Sequence, residues 1–299
     1  MFRDVRSKLP LSLALICLAG VAGRRVAEAQ SSHRVLDSRV QLELTGVTDS
    51  SEYLVYRYRV INPSASLGGV AHIIIDLAAP PGTGRRELPF TGRRMRGGGD
   101  AADHVPFGAI APEKWRMLVS SGLLYWYAPN IGPVVGDSVT RINADSAPPG
   151  GSRDGFGLRS PYLPGIRRFG AEPTYQSCCS RPIPNSVEKE YPSPDSFRVR
   201  GVTVAPMNAP ENVHLELILS QFREVCGALH WIPDAPLCGR LQRQLVQAAA
   251  ADRRGDRQSA TTALRAFLDE LEAQHTAGTV YDNAYWLLKV NGEYLLAHK

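Results

Sequence analysis

The stretches Val40-Gln41-Leu42-Glu43-Leu44 and Leu54-Val55-Tyr56-Arg57-Tyr58-Arg59-Val60-Ile61-Asn62-Pro63 decide the class of the fold. Apolar side chains recur at every second position (Val40, Leu42, Leu44, then Leu54, Tyr56, Tyr58, Val60), with Arg57 and Arg59 between the last of them. That period matches strands with one face buried and one wet, and it does not match a helix. Thr48-Asp49-Ser50-Ser51 supplies a polar turn that would join the two as an antiparallel hairpin. Asn62-Pro63 ends the second strand, because proline has no N–H to give a central ladder.

Working outward, residues 70–77 form a mostly apolar, β-branched run (Ile73, Ile74, Ile75), as expected of a strand buried on both faces or at the centre of a sandwich. Residues 115–120, 123–127 and 197–204 are further strand candidates, and Pro and Gly cluster between most of them. Short strands with such connections favour an antiparallel β-sandwich over a parallel α/β sheet. Two long inserts interrupt it. Residues 79–112 are rich in Gly, Pro and Arg, and residues 170–195 carry five prolines around the pair Cys178-Cys179. Loops of this length are uncommon in a compact domain and are functional or poorly ordered. No internal repeat is evident.

Beyond Pro206 the composition turns from Pro/Gly-rich to Leu/Ala/Gln-rich. Leu215, Ile218, Leu219, Phe222 and Val225 recur at helical spacing after Pro210, although Val213, Leu215, Leu217 and Leu219 also alternate as a strand would. Asp234, with Pro236 two residues on, reads as the cap of a second helix burying Leu237, Leu241, Leu245 and Ala249 and ending at Gly255-Asp256. A third helix starts near Gln258, and a last one carries Val280, Ala284, Leu287, Leu288 and Leu295. Short connections between amphipathic helices make antiparallel neighbours in a small bundle. The expected class is α+β and multidomain: an antiparallel β-sandwich over residues 30–206, then a helical bundle over 207–299, behind a signal peptide at 1–29.

That signal peptide is read from Arg3, Arg6 and Lys8, an apolar run from Leu9 to Val21, and a small-residue close at Ala27-Glu28-Ala29. The run is shorter than the ~20 residues of a membrane-spanning helix, and no other segment approaches that length, so no transmembrane segment is expected after cleavage. Cleavage bears on the charge. The chain of 299 residues has 34 Lys+Arg against 29 Asp+Glu, a net of +5. The peptide holds Arg3, Arg6, Lys8, Arg24 and Arg25 against Asp4 and Glu28, so its removal takes away three of the five net charges. What remains is too small to argue for a specific nucleic-acid partner.

Export, to the periplasm or beyond, also gives the cysteines a meaning. Cys178, Cys179, Cys226 and Cys238 remain, an even set in a compartment where disulfides persist. Cys226 and Cys238 bracket a short Pro-containing loop, and a bridge between them is expected. Cys178 and Cys179 could form a vicinal disulfide, each reach the other pair, or act in redox or soft-metal chemistry. No histidine stands at ligand spacing from them, so no metal site is expected.

Leu241, Leu245, Gly255-Asp256, Ala260, Leu264, Ala266-Phe267-Leu268, Leu271-Glu272-Ala273-Gln274 and Asn283-Ala284 together resemble the FIMAH-type helical module appended to secreted bacterial proteins, over residues 237–297. Upstream, three segments are similar to sandwich domains of uncharacterised secreted bacterial proteins: Tyr56-Arg57-Tyr58-Arg59-Val60-Ile61-Asn62, Gly155-Phe156-Gly157-Leu158-Arg159-Ser160 with Leu163-Pro164-Gly165, and Gly201-Val202-Thr203-Val204-Ala205-Pro206. The resemblance implies an accessory or surface-exposed protein and brings no catalytic residues.

The sequence shows no Walker phosphate loop, G-x-S-x-G elbow, H-E-x-x-H pair or EF-hand loop. Its seven histidines stand singly. Asp103-His104 near Ser120 and Ser121, and the pairs Glu211/Glu216 and Glu188/Glu190, are read as surface groups, as are Asp269, Glu270 and Glu272 on one helix. No cofactor is implied. The strongest binding candidate is Arg85, Arg86, Arg93, Arg94 and Arg96, opposed in that stretch by Glu87 alone. Such a cluster attracts acidic polysaccharide or another polyanion, although a hydrated Gly/Arg loop is the plainer alternative. Tyr125-Trp126-Tyr127 serves a sugar only if Trp126 or the tyrosine pair points outward. The expected function is a secreted, non-catalytic binding or envelope accessory protein; the alternative is an extracellular hydrolase acting on carbohydrate.

Overall fold

A computed structural model of the chain describes residues 36–50, 52–66, 68–77, 108–120, 123–128, 145–173 and 198–298. Within them lie nine strands: β1 (Gln41–Ser50), β2 (Tyr53–Ile61), β3 (Val70–Asp76), β4 (Ala109–Ile110), β5 (Arg116–Ser120), β6 (Leu123–Tyr127), β7 (Ser152–Ser160), β8 (Leu163–Pro173) and β9 (Val199–Asn208). They form a four-stranded sheet, β1-β2-β7-β4, and a five-stranded sheet, β5-β6-β3-β8-β9, antiparallel throughout.

The alternation that begins in β1 and β2 builds the layer between the sheets. Leu42, Leu44, Tyr56, Tyr58 and Val60 are all buried. Tyr58 of β2 and Phe156 of β7 meet Trp126 of β6 with ring centroids 5.9 and 5.4 Å apart, and Trp115 packs edge-on to Phe156 at 4.8 Å. These aromatic contacts run from one sheet to the other and hold the two inner faces together, each worth about 0.5–1.5 kcal/mol beyond its buried area. Tyr56 keeps its hydroxyl satisfied in this interior by donating to the Tyr162 carbonyl at 2.6 Å.

Several boundaries differ from expectation. The hairpin is present, but β1 and β2 pair out to Ser50 and Tyr53, so Thr48, Asp49 and Ser50 belong to the ladder and the turn is tighter. β7 and β8 were not among the expected strands. In β7, Gly155 and Gly157 dilute strand propensity, and in β8 the inward series Leu163, Gly165, Arg167, Phe169, Ala171 mixes large, absent and charged side chains, which hides the alternation. β8 also claims residues 170–173 of one expected insert, and β4 lies inside the other. β9 continues through Pro206 to Asn208, which is possible because β9 is an edge strand.

Four helices follow: α1 (Leu215–Cys226), α2 (Ala235–Arg253), α3 (Arg257–Thr276) and α4 (Asp282–His298). The helical reading of α1 holds, since Leu215, Ile218, Leu219, Phe222 and Val225 share its buried face. Pro210 does not open it, however. Residues Pro210–Asn212 make a separate 3-10 turn, and the His214 ring nitrogen caps α1 by accepting from the Leu217 N–H at 3.0 Å. Asp234 and Asp256 cap α2 and α3 through the N–H groups of Leu237 and Ser259. Gly255, with φ of 73°, takes the left-handed turn between them that an L side chain resists. Cys226, the last residue of α1, is bonded to Cys238 in the first turn of α2.

The helices pack directly on the sandwich. α4 packs against β1, β8 and β9, covering the side where the edge strands of the two sheets meet. The buried apolar cluster accordingly runs without a break from Leu42 and Trp126 to Ile218, Leu245 and Leu288. None of the described helices is long and apolar enough to cross a membrane.

Candidate functional site

Alternation in the five-stranded sheet sorts its side chains cleanly. Ile73 and Ile75 of β3 and Leu124 and Trp126 of β6 are fully buried inside the sandwich, so His72, Ile74 and Asp76, and Leu123, Tyr125 and Tyr127, belong to the outer face. Trp126 is therefore core, and the Tyr125/Tyr127 pair is the one that points outward.

Register then lines the outer side chains up in rows across the strands. Arg116 of β5 stands opposite Tyr127, Tyr127 opposite His72, and His72 opposite Glu172 of β8. Arg198, just before β9, completes this row by donating from Nε to Glu172 Oε1 at 2.7 Å. The next row is Leu118, Tyr125, Ile74, Gly170 and Arg200. Asp76 and Arg168 lie one step further along. Among the described residues the face thus carries Arg116, Arg168, Arg198 and Arg200 against Asp76 and Glu172, and Arg116, Arg168 and Arg200 are exposed.

Glu172 organises the first row. Its side chain is only 14% exposed, and its two oxygens are taken by different partners: Oε2 by His72 Nδ1 at 3.1 Å, Oε1 by Arg198. Burial pushes its pKa up, but hydrogen bonds from His72 and Arg198, and their charge, outweigh burial and hold the carboxyl below its ordinary value. A carboxylate only accepts, so His72 Nδ1 bears the hydrogen and, in the neutral ring, Nε2 carries the lone pair. The ring is held further by Tyr127, edge-on at 6.2 Å. Gly170 provides the lane by which Arg198 reaches across the sheet, since a Cβ there would come within 3.0 Å of Arg198 Cδ.

Other residues singled out from the sequence fare differently. Arg85, Arg86, Arg93, Arg94 and Arg96, the pair Cys178-Cys179, and Asp103, His104, Glu188 and Glu190 lie outside the described residues. In the chain, the segment with the five arginines lies between β3 and β4, which belong to different sheets, and the one with the two cysteines lies between β8 and β9. Glu216 pairs with Arg253 of α2, Glu270 with Arg240, and Glu272 with Lys289, so the acidic groups of the helices serve contacts between helices. Among the described residues no three His, Cys, Asp or Glu side chains come together closely enough to hold a metal ion. No local pattern in the sequence marks the trio His72, Glu172 and Arg198. Its members are far apart in sequence, and only the register of β3 against an unrecognised β8 joins them.

Comparison with known proteins adds one match: residues 234–297, which span α2, α3 and α4, fit the FIMAH domain family. No curated protein and no solved structure matches the chain.

Proposed function

We propose that this is an exported bacterial protein, non-catalytic, that binds anionic polymers at the envelope or outside the cell, using the outer face of the five-stranded sheet together with Arg85, Arg86, Arg93, Arg94 and Arg96. The observation that carries the reading is the excess of arginine over carboxylate among the described residues of that face, around two outward tyrosines. Guanidinium forks match carboxylate, sulfate and phosphate geometry, and a surface with a net positive charge draws in polyanions. Export is supported by the residue pattern of 1–29 and by the Cys226–Cys238 bond, a type of bond that persists in oxidising compartments. The FIMAH match is of a piece with the resemblance to secreted accessory proteins.

The test is salt elution of the processed protein from a heparin-type matrix and from a neutral one, repeated with the five loop arginines changed to Ser and, separately, with Arg116→Ser/Arg168→Ser. Retention on the anionic matrix alone, with earlier elution of both variants, is expected. Identical elution of wild type and both variants would sink the reading.

One observation favours the hydrolase alternative: a carboxylate that fixes the tautomer of an outward histidine, as Glu172 does for His72, is the arrangement of a general base. Release of reducing ends from acidic polysaccharide by wild type, abolished in His72→Gln, would establish it.

A further inference from the structure

Resting on the binding reading above, we infer that the polymer is an acidic glycan that lies across the strands, its sugar rings against Tyr125 and Tyr127 and its anionic groups beside the arginines. Three features of the face converge on this chemistry.

The first is the pair Leu118 and Tyr125, direct cross-strand neighbours on β5 and β6. Leu118 is 39% exposed despite being apolar and Tyr125 is half-buried, while Ile74, next in line on β3, is buried. The pair lies beside Arg116 and Tyr127, so this end of the sheet offers an apolar patch with a cationic border. Sugar rings present an apolar C–H face and polar edges, and an aromatic side chain on an open sheet provides the matching flat surface. A ligand that was only a string of charges would gain nothing from Leu118 or Tyr125.

The second is length. Arg116 and Arg198 mark the two ends of the row, four strand-to-strand steps apart. At ~4.8 Å per step the two residues leave the backbone about 19 Å apart, and Arg198 reaches back one strand to Glu172, so its charge stands about three steps from Arg116. A single small anion meets one end only, whereas an oligomer with a charge on successive units meets both.

The third is the way Arg198 and His72 are held. Glu172 ties both, and Gly170 clears the path for the arginine, so neither has to be ordered from a free rotamer ensemble when a ligand arrives. Arg116 at the other end brings the planar fork that suits carboxylate, sulfate or phosphate oxygens.

The experiment measures binding of the full processed chain, by calorimetry at one fixed salt concentration, to polygalacturonate, dextran sulfate, inorganic polyphosphate, duplex DNA and neutral dextran. Variants are Tyr125→Ala/Tyr127→Ala and, to retain the rings where alanine disturbs the sheet, Tyr125→Phe/Tyr127→Phe; circular dichroism establishes which are folded. The two acidic glycans, polygalacturonate and dextran sulfate, are expected to bind more tightly than polyphosphate and DNA, the alanine pair to weaken them by about tenfold, and the phenylalanine pair to keep most of the affinity. Equal affinity for polyphosphate or DNA, or an alanine pair that is folded and binds like wild type, would overturn the glycan assignment while leaving a general polyanion binder in place. If none of the four anionic polymers binds, the binding reading itself is overturned.

Discussion

Asn283 Oδ1 accepts a hydrogen bond from the Leu44 backbone N–H at 2.7 Å across a sequence separation of 239 residues. The same amide reaches the Leu42 carbonyl through Nδ2 at 3.5 Å, and that carbonyl also receives the Thr203 hydroxyl at 2.7 Å. Leu42 and Leu44 present these groups along the edge of β1 away from β2, where a further strand would otherwise pair. An exposed edge invites association with another chain, and here a helix and a neighbouring strand supply the missing partners from side chains. Further along α4, Asn291 donates to the Pro164 carbonyl of β8 at 3.0 Å. α4 is thus tied to the four-stranded sheet by one asparagine and to the five-stranded sheet by the other.

Asn283→Ala tests that tie. It leaves the buried Leu44 N–H without its acceptor, a loss of about 1–3 kcal/mol, and urea unfolding should show a lowered midpoint. The four-stranded sheet and α4 should still unfold in one transition, because the apolar core between them is intact. A midpoint equal to wild type would mean that the Asn283 contact adds nothing to stability.

Reduction of the Cys226–Cys238 bond should also lower stability. It closes a loop with a sequence separation of 12, for which the chain-entropy estimate is about 3 kcal/mol. Because the half-cystines sit at the end of α1 and the start of α2, the loss should fall on the docking of α1 and leave the Asp234 cap of α2 in place. Unfolding of the native and reduced protein, or of Cys226→Ala/Cys238→Ala, measures it; coincident curves would contradict it.

Glu172 gives a pH dependence whose sign is set by the direction of its shift. The folded-state pKa lies below the ordinary 4.5, since the hydrogen bonds from His72 and Arg198 outweigh burial. A depressed carboxyl stabilises the fold in full above its unfolded value, and that contribution fades as pH falls from about 4.5 through the lower folded value. Glu172→Gln removes it. The variant should therefore lose stability relative to wild type at neutral pH and converge with it in acid, read as denaturation midpoints across the pH series. Parallel curves for the two proteins would rule this out.

How far all this could be read from the chain depends on where each pattern was local. The hairpin at β1 and β2, and the spacing in α2 and α3, were legible because buried positions repeat along a single element, as in Leu42 and Leu44 or Leu237, Leu241 and Leu245. β8 was not, because Gly165 and Arg167 occupy inward positions that propensity assigns to large apolar residues. Arg167 can sit there with burial drawing its pKa down to about 10, opposed by the charge of Asp76. Alternation alone leaves open whether Trp126 or the pair Tyr125 and Tyr127 points outward, and the full burial of Trp126 decides it. The Glu172 cluster needed the pairing of β3 with β8 before His72 had any neighbour at all.

Gly170→Ala probes the site through geometry alone, with no charge altered. In a strand this substitution is ordinarily stabilising by about 0.4–1 kcal/mol, since it restricts the unfolded chain. Here the added Cβ lies 3.0 Å from Arg198 Cδ and 3.4 Å from Cγ, so the arginine must give way by a few tenths of an ångström. Moving Arg198 weakens its hydrogen bond to Glu172 Oε1 while His72 remains on Oε2. The Glu172 carboxyl should then titrate at higher pH than in wild type, an upward change that a carbon-detected NMR titration of the side chain resolves. A Glu172 titration identical in the two proteins would show that Arg198 accommodates the methyl group without leaving the carboxylate.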